Sequence, residues 1–184
     1  MDTRELLMRR AASESQFVEV GLHAAKLSSC DLSRINLMRS DLSGADLSRA
    51  DLSGSNLKQA NCTDADFGGA SLVGANLIDV NFIGADLSHT DLSGADLGCA
   101  DLRCANLHAA NLTGANLSQA DLCGADLSDA NLTDAKLQGT DISGADLAGA
   151  AIAFEQLTPD RWDNLPEYHI SHHWVTWSGS RSSD

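Results

Sequence analysis

From Phe17 to Ile152 an apolar residue, most often Leu, stands at every fifth position without a slip, through 28 consecutive positions. No ordinary element tolerates that spacing. On a helix, residues five apart drift around the axis, so the leucines would spread over every face. On a flat strand an odd period throws alternate leucines to opposite sides. The pattern requires a chain that bends once per five residues and returns one side chain to the same interior each time.

The residues around the apolar position, called i here, fit that reading. Position i−2 is small in most units, with Ile35 and Val80 among the departures, and is Ala in every unit from Ala95 to Ala135. Position i−1 is Asp or Asn almost throughout from Asp31 to Asp146, with Ser71 and Lys136 as breaks. Position i+1 is commonly Ser or Thr, and i+2 is often Gly, as at Gly44, Gly54, Gly74, Gly84, Gly94, Gly114 and Gly124. Gly and short polar residues are what a turn needs. A large Leu beside a small Ala fills a narrow interior. Cys62 and Cys30 occupy inward positions as small hydrophobes.

Units such as ADLSR at 45–49, ANLID at 75–79, ADLRC at 100–104 and ANLTG at 110–114 resemble those of pentapeptide repeat proteins, whose motif is A-[D/N]-L-x-x. The resemblance implies an all-β fold, a right-handed quadrilateral parallel β-helix with four units per coil and about seven coils. The repeat body runs over 16–155, and the chain outside it divides into an expected N-terminal cap over 1–15 and a non-repeat segment over 156–184. In 3–12, Thr3 is the expected helix cap, with Leu6, Leu7 and Met8 covering the first coil. The last segment holds all three Trp, the one Tyr and both Pro. Trp162, Leu165, Tyr168, Trp174 and Trp177 are the candidates there for a cap over the last coil or for an interface with a second copy docked at one end of the rod.

Candidate chemistry is sparse. His169, His172 and His173 with Glu167 are a weak metal motif, lacking a Cys pair or the H-E-x-x-H spacing. His89 and His108 fall at outward positions among acids and read as a solvated face. Phosphate-binding glycine motifs and G-x-S-x-G are absent, and the glycines follow the turn spacing. The expectation is a protein without enzymatic activity and without a cofactor. Five cysteines at irregular spacing do not form a disulfide framework, which favours a cytoplasmic setting. No segment reads as a signal peptide or a membrane span.

Charge is the remaining signal. The formal net charge is −14, which disfavours direct nucleic-acid and membrane binding and favours a protein partner with a basic surface. Residues 59–135 contain 11 acids and one base, Arg103. The outward acids Asp86, Asp91, Asp96, Asp101, Asp121 and Asp126 are the candidate partner-binding residues. Some members of the resembled family bind DNA gyrase or related topoisomerases, so the resemblance implies DNA mimicry as the alternative to an interaction rod of unspecified partner. With 20 residues per coil, Asp46, Asp66 and Asp86 stack in one column and Asp101, Asp121 and Asp141 in another. Repulsion along such columns should raise the carboxylate pKa values, so that mild acid stabilises the fold.

Overall fold

The computed structural model describes residues 1–152. Each unit makes one bend, and the position i−1 of each unit pairs in parallel with the residue 20 positions on, from Gln16↔Asn36 to Asn131↔Ala151. Four five-residue sides therefore complete one coil, and the coils stack.

The unit Asp41–Ala45 shows why five residues suffice. The Asp41 N–H donates to Val20 O of the preceding coil at 2.9 Å, while Leu42 N–H donates to Asn61 O of the following coil at 2.7 Å. Ser43 N–H donates to the Asp41 carboxylate at 3.1 Å. Gly44 N–H reaches Thr63 O at 2.9 Å, and Ala45 N–H closes the turn onto Leu42 O at 3.0 Å. All five backbone donors of the unit have acceptors, which a buried wall requires. The turn places its third residue at positive φ, as a type II turn demands. Every i+2 residue from Glu19 to Gly149 has positive φ. Eleven of these are Gly; the others, including Ala24, His89 and Cys104, hold the same left-handed geometry with a Cβ, at about 1 kcal/mol each.

This accounting corrects the expected fold class. The described residues contain one helix, α1 over Thr3–Ala11, and no strand. The parallel pairings are isolated bridges. The physical reason lies in the unit itself: the turn takes up i+1 and i+2, so a bridge never extends to a second consecutive residue. The all-β parallel β-helix expected from the repeats is overturned, and a stack of turn-linked coils replaces it.

The core is one continuous column. Every residue i from Phe17 to Leu132 is at most 1% exposed, and the inward Ala residues pack between them. Phe67 and Phe82 meet edge to face at 5.3 Å between centroids. Polar residues at i−2 mostly find carbonyls in the preceding coil. Thr90 Oγ1 donates to Phe67 O at 2.9 Å. Ser40 Oγ donates to Phe17 O at 3.0 Å and accepts from Val20 N at 3.1 Å. Ser55 Oγ is buried without a partner. In the last described coil Leu137, Ile142, Leu147 and Ile152 are only partly buried.

Helix α1 closes the first coil with Leu6, which is fully buried, and with Leu7 and Met1 at its margin. Arg9 lies over the Phe17 ring at 5.0 Å and pairs with Glu14. Two details differ from expectation. The N-cap is Asp2, whose carboxylate accepts from Glu5 N at 2.7 Å, because Thr3 is already inside the helix. Met8 is 64% exposed, since it turns away from the face that carries Leu6. The expected cap or interface residues Trp162, Leu165, Tyr168, Trp174 and Trp177, and the His169, His172 and His173 cluster, lie outside the described residues. Among the described residues no helix is long and apolar enough to cross a membrane.

Candidate functional site

The bridge register sorts every outward residue onto one of four faces. The first carries Gln16, Asn36, Asn56, Asn76, Asp96, Asn116 and Lys136. The second carries Gly21, Asp41, Asn61, Asn81, Asp101, Asp121 and Asp141. The third carries Lys26, Asp46, Asp66, Asp86, Asn106, Asp126 and Asp146, and the fourth Asp31, Asp51, Ser71, Asp91, Asn111 and Asn131.

The six candidate acids therefore do not form one patch. Asp101 and Asp121 are neighbours on the second face. Asp86 and Asp126 share the third, separated by Asn106. Asp91 and Asp96 sit alone on the fourth and first faces, each followed by an Asn one coil on. Residues 59–152 hold 13 Asp against Arg103 and Lys136. Nine of these acids lie on the second and third faces and their corners: Asp64, Asp101, Asp121 and Asp141, then Asp66, Asp86, Asp126, Asp129 and Asp146. These faces adjoin along the chain and form the acidic side of the rod. Position modulo 20 is the signal that would have separated the six from the sequence.

All six candidates also have a backbone task. Asp86, Asp91 and Asp96 accept from the N–H of Ser88, Ser93 and Gly98 at 2.9, 3.0 and 3.1 Å. Asp101, Asp121 and Asp126 do the same for Arg103, Cys123 and Ser128 at 3.3, 3.0 and 2.9 Å. The Oδ1 atoms of Asp86, Asp91 and Asp96 also accept from Asn106, Asn111 and Asn116 of the next coil, at 3.2, 3.0 and 2.8 Å. An Asn above an Asp thus replaces repulsion with a hydrogen bond. Asp101 differs again, because Arg103 grips it with two bonds of 2.8 and 2.7 Å and stands 3.7 Å from Asp121.

In the stacked columns Asp46 and Asp101 shift opposite to the expected direction. The Ser hydroxyl two residues on, then its N–H, holds the carboxyls of Asp31, Asp41, Asp46 and Asp126 below the usual range. The Arg103 guanidinium does the same to Asp101. Donors within the unit stand much closer than the neighbouring carboxylates about 4.8 Å along the stack, so the hydrogen bonds outweigh the repulsion.

Cys99, Cys104 and Cys123 are exposed free thiols, and Cys62 is buried. Burial pushes the Cys62 thiol up, out of reactive range. Among the described residues no group of three or more His, Cys, Asp or Glu side chains is placed to hold a metal. His89 and His108, read as separate solvated residues, stand together with ring centroids 5.5 Å apart.

Comparison with known proteins agrees with the repeat. No curated protein sequence matches. A solved pentapeptide repeat protein from the Arabidopsis thaliana thylakoid lumen is 35% identical over 63% of this chain and 70% of that one, with a TM-score of 0.42. HetL, a pentapeptide repeat protein involved in heterocyst differentiation regulation from the cyanobacterium Nostoc sp. strain PCC 7120, is 31% identical over 82% and 94%, with a TM-score of 0.29. QnrB1, a plasmid-mediated fluoroquinolone resistance protein, is 22% identical over 77% and 86%, with a TM-score of 0.40. The family model for pentapeptide repeats matches residues 22–59, 60–98, 100–139 and 110–149. The chain is a member of the pentapeptide repeat family, whose proteins are structural and non-catalytic.

Proposed function

We propose that this protein is an interaction rod that presents its second and third faces to a basic surface on a protein partner, and that the partner surface is one that otherwise holds nucleic acid. The observation that carries this reading is the axial charge density. Residues 59–152 span nearly five coils, about 23 Å at the usual spacing of neighbouring chains. Their 13 Asp, less Arg103 and Lys136, leave one net negative charge per roughly 2 Å of axis over all four faces, and the nine acids of the second and third faces, less Arg103, one per about 3 Å, against about 1.7 Å for both strands of duplex DNA. A basic groove shaped for DNA would meet a similar linear charge. DNA gyrase is the partner that the family resemblance implies. In this reading the protein works in the cytosol, where the exposed thiols of Cys99, Cys104 and Cys123 stay reduced.

The test is inhibition of gyrase supercoiling by the purified chain. Asp86→Asn, Asp121→Asn and Asp126→Asn together remove three charges from the acidic faces while leaving an oxygen for each backbone N–H. That triple variant should lose most of the inhibition, as should the wild type at high salt. Asp91→Asn with Asp96→Asn, on the other two faces, should leave it nearly intact. Equal loss from both sets, or none from either, would reject the two-face reading.

A further inference from the structure

We propose that His89 and His108 form a two-histidine chelate for a borderline divalent metal ion of the Zn2+ class on the third face. His89 N–H donates to His108 O at 2.9 Å, so the two residues are direct partners in adjacent coils and their side chains leave the wall side by side. Their ring centroids are 5.5 Å apart at an interplanar angle of 81°. Two imidazoles bound to one tetrahedral ion through nitrogens at 2.0–2.1 Å would place their centroids about 5.2 Å apart. The observed spacing is within a few tenths of an ångström of that value before any ion is bound.

Ser128 adds a second feature of such sites. Its Oγ lies 2.9 Å from His108 Nδ1, which fixes the ring and leaves Nε2 as the nitrogen available for ligation. A ligating histidine commonly uses its other nitrogen in this way. The surroundings favour a cation, since Asp86 precedes His89 in the same unit and Asp126 pairs with Asn106 of the His108 unit. His89 is exposed and His108 half-buried, so water can complete the coordination sphere. Repeats alone do not require these residues. The corresponding corner one coil earlier is Gly69, and the residue in the His108 column one coil later is Ser128.

The experiment is calorimetric titration of the full chain with Zn2+. His169, His172 and His173 are changed to Gln in every sample, so that the C-terminal histidines do not contribute. One Zn2+ per chain is expected. His89→Gly and His108→Ser, which copy the neighbouring coils and so keep the fold, should each abolish binding. Ser128→Ala should weaken it about tenfold. A parent that takes up no Zn2+, or binding that survives both histidine substitutions, would overturn the proposal.

Discussion

A pair of substitutions at Asp86 separates its charge from its hold on the backbone. Its Oδ1 accepts from Ser88 N at 2.9 Å and from Asn106 Nδ2 at 3.2 Å. Asp86→Ala deletes both acceptors and strands an N–H in the wall. At about 1 kcal/mol per hydrogen bond the loss is about 2 kcal/mol. For a chain of this size that lowers Tm by 4–8 °C, on the order of 2–4 °C per kcal/mol. Asp86→Asn removes the same charge but keeps the oxygen. An Asn below an Asn is already accommodated, since Asn56 Nδ2 donates to Asn36 Oδ1 at 3.1 Å. Its Tm should therefore stay within about 2 °C of the parent, corresponding to roughly 0.5 kcal/mol. Thermal melts followed by circular dichroism, with denaturant titrations in parallel, measure both variants. If Ala melts with the parent, or Asn falls as far as Ala, the Asp column is not a set of backbone acceptors and the reasoning fails.

Acid should destabilise the coils. The folded-state pKa values of Asp31, Asp41, Asp46, Asp101 and Asp126 are depressed, so their contribution is complete above the ordinary carboxylate range and is lost as pH falls below it; Tm measured from pH 7 to pH 2.5 should drop below about pH 4, and a rise there would contradict the assignment. Leu92→Ala, in a column position that is fully buried, should cost about 2–5 kcal/mol by denaturant titration. Ser55→Ala should raise stability by about 1 kcal/mol, because it removes a buried hydroxyl without a partner and restores the Ala that most units carry; a loss would show that the hydroxyl is satisfied in solution.

The bend at every fifth residue was legible because each unit repeats the same chemistry: Leu42 fills, Ala45 makes room and Gly44 turns. What the sequence pattern concealed was how little extended chain remains once the turn has claimed two residues of the five. The hydroxyl and amide donors near each carboxylate were equally hidden, since Ser43 beside Asp41 reads as solvated surface until Ser43 Oγ is found 2.6 Å from that carboxylate. The six candidate acids are mixed in placement. Asp91 and Asp96 are five residues apart in sequence and stand on different faces, whereas Asp101 and Asp121 are 20 apart and adjacent. The pairing of His89 with His108 is concealed differently: their separation of 19 is one short of a coil, and only the bond from His89 N–H to His108 O shows that neighbours in the wall are offset by one residue.

Because each unit satisfies its own turn and hands identical bonds to the coils on either side, deleting one pentapeptide would leave the wall intact. Everything downstream would instead revolve by a quarter turn. Acids that lined up with those of the earlier coils would then point ninety degrees away, with no change in composition and little in stability. Gain or loss of single units is thus a route by which such a chain redraws its surface, while changes in steps of four units lengthen it and preserve the pattern.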